Sequence, residues 1–449
     1  MSAWSRVQES ATVRSGRADR TVVKCGFADA ILADLSVAIV FFYDRRLDEQ
    51  RLASSLGEAL GRVPLFAGRL REHEKGMEIV CTDEGVPLKV VDVEETLPEA
   101  VARTAMAHSG LVEHVDAAQA RQGAEPPMRV QVSRLADGGT ALGCSWHHAV
   151  GDMQSFAVLM QTWSALAAGA QPPEVVIVED RDEYLDRMLP AEDCGKPGFR
   201  LVGAEEAAAL QREAGAAIRA NRVVQIYFGA EEAARLRDRF SALAGRRLST
   251  SDALTGHLLD TVRRLDGGAA AGSLTVPVNV RRRVGLPDGL IGNVLSDVHL
   301  PGPLPDRPEL LAAGIRAGLE DFRASHLRLR SNRAFLAEQG WSRLGDCVAL
   351  GFDPPNRATA VSYWTGFGAY DIAFEGHRPV CVSPTTNLPL PRVAWIVEGF
   401  GGSGHLCSVS LPAALAAKLR ATAGAELLHP TREPGDALPE LAGMVRKLA

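Results

Sequence analysis

The chain has 449 residues, 46% of them hydrophobic and 23% charged, with a net charge of −6. That length exceeds what one compact core organises and points to two domains of roughly 200 residues each, with the composition of a soluble globular protein. The negative balance argues against nucleic acid as the main partner, while leaving room for a local basic patch that meets a phosphate-bearing ligand.

Residues 37–43 are β-branched and aromatic throughout and predict a buried strand. A helix should follow, since Leu47, Leu52, Leu56 and Leu60 recur at helical spacing, with Asp48 and Glu49 suited to its first turn. Strands are expected over 77–81 and 87–91, and a helix over 97–108. Two more strands, 129–135 and 140–146, flank Ala136-Asp137-Gly138-Gly139, a strong hairpin signal. The second runs into His147-His148-Ala149-Val150-Gly151-Asp152, after which Phe156, Leu159, Met160 and Trp163 mark the apolar face of a helix. From 176 to 221 the pattern weakens into a connection with room for one helix, read as the crossover between an N-terminal domain (1–175) and a C-terminal domain (222–449). The second half restarts with a strand over 223–228, helices over 230–244 and from Ser249 onward, and strands over 274–280 and 294–300. A long helical region within 308–340, strands over 358–364, 393–398 and 406–411, and a helix over 413–423 complete it. Each half mixes helices with mostly non-hairpin strands, an α/β or α+β layered architecture.

The seven cysteines (25, 81, 144, 194, 347, 381 and 407) are dispersed with no Cys-x-x-Cys pair, which fits reduced thiols in a cytosolic protein better than a disulfide frame or a zinc site. The first twenty residues lack the apolar stretch of a secretory signal, and their acidic residues count against a transit peptide. The longest apolar stretch is too short to span a bilayer. A cytoplasmic protein without a membrane partner is expected.

His148 stands where an apolar strand gives way to a helix, a place from which a side chain can enter a cleft. Imidazole is the usual group for taking a proton from a hydroxyl or amine at the moment of attack. Asp152, at the first turn of the helix, can fix that turn or pair with an arginine. On this motif alone, a core histidine beside a capping aspartate is an equally good reading. A metal site on His147, His148 and Asp152 is disfavoured, because neighbouring strand residues point to opposite faces. Gly401-Gly402-Ser403-Gly404-His405 fails as a nucleophile elbow and reads as a turn between strands, and no phosphate loop or dinucleotide fingerprint is present. Direct transfer with a general base therefore fits better than a covalent enzyme intermediate. Among Arg281, Arg282 and Arg283, one could be buried against Asp152, although such a cluster is commonly a solvated strand end. Arg246 and Arg247, just before the helix start at Ser249, Thr250 and Ser251, combine charge with helix-end amides, but exposed loop charges are the commoner explanation.

Together these pieces resemble the BAHD family of acyl-CoA-dependent acyltransferases over nearly the whole chain. Phe42-Tyr43, then Pro64-Leu65-Phe66-Ala67-Gly68-Arg69-Leu70, is similar to the family's opening. The His147 to Asp152 run matches its His-His-x-x-x-Asp, and Leu248 to Leu254 resembles the start of its second-domain helix. Pro277-Val278-Asn279-Val280-Arg281, followed by Gly292-Asn293, resembles its Val-Asn-x-Arg and Gly-Asn stretch. The resemblance implies a chloramphenicol acetyltransferase-like α/β fold, with two similar mixed-sheet domains and a channel between them. It implies His148 as the base, no permanently bound cofactor, acyl-CoA as cosubstrate, a small alcohol or amine as acceptor, and a monomer. Coenzyme A would meet Arg246 or Arg247 and the turn at Ser249, Thr250 and Ser251, and Thr365 matches a pocket-lining position suited to an oxyanion or acceptor contact. Two departures stand out: Met153 replaces the usual glycine after the motif Asp, and the family's Asp-Phe-Gly-Trp-Gly is reduced to Ala373-Phe374-Glu375-Gly376-His377, where Asp371 could stand in for the missing Asp. Rival expectations are an enzyme that takes its acyl group from a carrier protein and a non-catalytic scaffold of the same fold. The acceptor is not legible, since pocket walls come from distant segments.

Overall fold

The computed structural model describes residues 5–17, 20–106, 109–189, 196–268, 272–385 and 392–448. Its frame is a pair of six-stranded mixed sheets. The first runs Ser5–Val13, Val86–Val93, Met128–Arg134, Thr140–His147, Ser36–Tyr43 and Cys381–Pro384. Only its pairing of Val86–Val93 with Met128–Arg134 is parallel. The second runs Asn221–Phe228, His405–Pro412, Val393–Glu398, Thr359–Trp364, Leu274–Asn279 and Leu295–Leu300, with Thr359–Trp364 parallel to both neighbours. Two mixed sheets with helices packed on them make this the expected α/β class. No helix among the described residues is long and apolar enough to cross a membrane.

The strands form where the apolar runs predict them, because a strand buried on both faces needs no polar alternation. All of Ser36–Tyr43 beyond its first residue is buried. The helix Glu49–Leu60 is capped by Asp48, whose carboxylate accepts from the amides of Gln50 and Arg51, and the helix Thr250–Leu265 by Ser249, in a reciprocal capping box with Asp252. The 308–340 region is two helices, Pro308–Glu320 and Phe322–Gln339.

Two features of the organisation come from the structure alone. The stretch 176–221, expected as a connection with room for one helix, holds the helices Arg181–Met188 and Ala204–Ala220 and the strand Phe199–Leu201, which pairs with Cys347–Ala349. Its alanines weaken the hydrophobic period, yet Leu210 and Ala214 are buried and the helix walls a cavity. The first sheet also takes one strand from beyond residue 222. Cys381–Pro384, from the second half, closes the first sheet on the outer edge of Ser36–Tyr43, pairing Cys381 with Phe42 and Pro384 with Ile39. An apolar edge left open invites pairing with another chain, and this four-residue strand covers it. The degenerate Ala373 to His377 element leads into that strand. Phe374 is buried edge-on against Tyr43 and Trp163, and the Tyr43 hydroxyl donates to the Ile372 carbonyl. Asp371 pairs with Arg378 at 3.3 Å, but both are exposed, so the contact adds little stability.

Candidate active site

The strand Thr140–His147 ends at the first histidine, and the two rings part there. His147 is fully buried. Its Nδ1 accepts from the Ala149 amide at 3.1 Å, and its Nε2 lies 3.2 Å from the Ala117 carbonyl, to which it donates. Burial pushes its pKa down to about 4, so it is a neutral brace. His148, half-buried, turns instead into a cavity of about 630 Å³ walled by both halves of the chain. Its amide donates to the Leu35 carbonyl at 2.9 Å, which fixes the backbone at the mouth of the turn.

The tautomer of His148 follows from its neighbours. Nδ1 lies 3.1 Å from Oδ1 of Asn293. The Asn293 amide nitrogen is already donating to Asp29 and to the His148 carbonyl, so the oxygen is the group that faces the ring. An oxygen can only accept, so Nδ1 carries the proton and Nε2 keeps a free lone pair. Burial lowers the His148 pKa, with partial opposition from Asp152, Asn293 and Asp29, and the ring is therefore neutral at pH 7.

Asp152 reaches the cavity wall, but its carboxylate is committed to holding the turn. It caps the helix Met153–Ala167, accepting from the Ser155 amide and hydroxyl at 3.1 Å each, and receives the Val294 amide at 3.1 Å. Arg281, fully buried, grips it with two nitrogens at 2.7 and 3.0 Å. The same guanidinium donates to the carbonyls of Leu290 and Gly292, tying the second half of the chain to the turn that carries His148. Burial would raise the Asp152 pKa, but the charge and hydrogen bonds of Arg281, with the Ser155 and Val294 amides, bring it below the usual carboxylate range. Trp146 supports the turn from beneath, donating to the Gly151 carbonyl at 3.0 Å and stacking on Phe156 at 4.0 Å, a contact worth about 1 kcal/mol beyond its burial.

A family model, that of the Transferase family, matches residues 19–418. The chain belongs to that family, the BAHD acyltransferases. Among its relatives, vinorine synthase of Rauvolfia serpentina is 23% identical over 85% of this chain and 87% of its own. An Avena sativa hydroxycinnamoyl-CoA:5-hydroxyanthranilate N-hydroxycinnamoyltransferase is 28% identical over 83% and 85%. The solved structure of vinorine synthase superposes with a TM-score of 0.68 at 19% identity, covering 92% of this chain and 96% of that one. That of F. graminearum TRI101 complexed with ethyl coenzyme A gives 0.74 at 14% identity, over 90% and 98%. The BAHD chain described here is accordingly an acyltransferase.

The remaining predicted site residues fall elsewhere in this acyltransferase. Thr365 lies one residue past the strand Thr359–Trp364 and does not line the cavity, whereas Ala360, Ser362, Tyr363 and Trp364 do. Ser362 Oγ accepts from the Trp364 indole at 3.1 Å, which leaves the Ser362 hydroxyl proton to donate. Arg246, Arg247, Ser249, Thr250 and Ser251 are also outside the lining. Arg246 is paired with Glu320 at 2.6 Å, Ser249 is occupied as a helix cap, and the Ser251 carbonyl takes the Thr255 hydroxyl. Arg247 is exposed and unpaired among the described residues. Met153, the departure after the motif Asp, lines the cavity. Asp29 and Arg181 had no signal in the sequence, because neither lies in a recognisable spacing. Asn293 was visible as part of the Gly292-Asn293 pair, without its role.

Proposed function

We propose that this acyltransferase moves an acyl group in one step from an acyl-CoA thioester to the hydroxyl or amine of a small molecule bound in the cavity, with His148 as general base. The observation that carries the reading is the hydrogen bond from Nδ1 of His148 to Asn293, which leaves Nε2 as a lone-pair nitrogen on a cavity-lining side chain. Nε2 takes the proton of the acceptor as its oxygen or nitrogen attacks the thioester carbonyl. The tetrahedral oxyanion then collapses, the C–S bond breaks, and the imidazolium returns its proton to the departing thiolate. We assign the Ser362 hydroxyl, which lines the cavity, as a donor for the oxyanion or the acceptor. Trp364 and Phe367 in the lining suit a planar acyl group such as hydroxycinnamoyl, and aliphatic acyl groups fit the same space. TRI101, with coenzyme A in its structure, shares the fold, and the Avena sativa relative is named for a CoA thioester. At the CoA end, Arg247 and the helix start at Ser249, Thr250 and Ser251 are the groups we assign to the phosphates. We read the enzyme as a cytoplasmic monomer without a resident cofactor.

The test is a panel of acyl-CoAs screened against mixed alcohols and amines, following free thiol. Thiol release that requires an acceptor and is lost in a folded His148→Ala variant supports the reading. Turnover that survives His148→Ala overturns the base, and turnover only with acyl groups loaded on a carrier protein overturns the donor.

A further inference from the structure

Behind His148 lies a second buried arginine–carboxylate pair. Asp29, on the short helix Phe27–Ile31, is 2% exposed, Arg181 4% and Asn293 3%. Arg181 reaches Oδ1 of Asp29 at 3.0 Å and also donates to the carbonyls of Ala149 at 2.9 Å and Val150 at 2.8 Å, the two residues that follow His148. Asp29 accepts the Gly26 amide at 2.7 Å on Oδ2, and on Oδ1 the Asn293 amide at 3.2 Å and side-chain nitrogen at 2.8 Å.

We propose that Asp29, anchored by Arg181, is a positioning residue for acyl transfer that acts through Asn293 to dictate which nitrogen of His148 carries the proton. This rests on the reading of His148 as the base. An asparagine side chain can turn over and present its NH2 group where its oxygen was. Turned over, Asn293 would donate to Nδ1 of His148, and the ring would hold its proton on Nε2 with no lone pair left for the acceptor. The groups around Asn293 Nδ2 oppose that turn. Its partners are the Asp29 carboxylate and, at 2.9 Å, the His148 carbonyl, and both can only accept. The turned amide would set its oxygen against both, in a place too buried for water to intervene. The carboxylate, as a charged acceptor, weighs more than the carbonyl in this preference. Arg181 holds that carboxylate in place and keeps the His148 turn in register with it.

The test uses the full-length enzyme with ¹⁵N-labelled histidine. Long-range ¹H–¹⁵N spectra report the tautomer, and the His148 signals are assigned by their loss in His148→Ala. The parent is expected to show Nδ1–H. Asp29→Asn replaces a pure acceptor with a group that can also donate, so Nε2–H should appear. With it, kcat should fall roughly 10²-fold, while KM for both substrates stays within about twofold. Asp29→Glu, which keeps a carboxylate, should restore part of kcat and the Nδ1–H signal. Nε2–H in the parent overturns the proposal even where a variant fails to fold, as does a folded Asp29→Asn with kcat and tautomer unchanged. The tautomer is read without substrate, so a failed relay is distinguished from a failed base, which would show instead as turnover surviving His148→Ala.

Discussion

Replacing Asp152 with asparagine removes the negative half of a pair whose arginine is wholly buried. Five hydrogen bonds converge on that carboxylate, from Arg281 twice, from the Ser155 amide and hydroxyl, and from the Val294 amide. Every one comes from a donor. An asparagine offers one oxygen and turns an NH2 group against donors, while the Arg281 charge loses its partner. Breaking a buried pair from one side costs about 3–5 kcal/mol. At about 2.1 cal/mol/K of unfolding entropy per residue, a chain of this length carries roughly 0.9 kcal/mol/K, so the melting midpoint should fall by about 3–5 °C. Removing both charges, with Asp152→Leu and Arg281→Met together, should cost less than the sum of the two single changes. Because the folded Asp152 pKa lies below its ordinary value, the carboxylate's contribution is complete above about pH 4 and is lost as pH falls through the lower folded value. Asp152→Asn should lack that component of acid sensitivity. Calorimetry on the parent, the singles and the double measures all of this. A midpoint shift under about 1 °C for Asp152→Asn, or strict additivity of the singles, would refute the brace.

The pH–rate profile of kcat/KM should rise with pH through the lowered pKa of His148, with its midpoint below the ordinary histidine value of about 6.5, since the neutral ring is the active form; a midpoint above that value contradicts the burial argument. Ser362→Ala should lower kcat by about 10- to 10²-fold, whereas Thr365→Ala, outside the cavity, should stay within about twofold in steady-state assays. Arg247→Glu should raise KM for acyl-CoA by up to about fivefold, with less effect at high salt and none on kcat.

Much of the framework was readable before any coordinates. Continuous apolar strands such as Ser36–Tyr43, the cap at Asp48 and the helix start at Ser249 announce themselves because their causes lie within a few residues. The strand Cys381–Pro384 did not, being four residues long and placed by the sheet edge it covers rather than by any pattern of its own. The helix Ala204–Ala220 was obscured for a related reason: alanines bury without leaving a hydrophobic stripe. Thr365, the hydroxyl that the family resemblance suggests, lies outside the lining while Ser362 lies in it, because which residues of a strand end face a cavity is set by the packing of the sheet.

For the site itself, the sequence determined the double histidine, its strand-to-helix setting, and the aspartate that begins the next helix, all local consequences of order along the chain. It also left Arg281 as one of three neighbouring arginines. Only the tertiary structure chose among them, sending Arg281 to Asp152 across 129 residues and leaving Arg282 at the surface with Asp288. Only the fold brought Asn293 to His148, 145 residues away, and Asp29 to Asn293, 264 residues away. Which nitrogen of His148 is the base depends on those partners, because a proton's place on an imidazole is set by what faces it in space, and spacing along the chain carries no record of that.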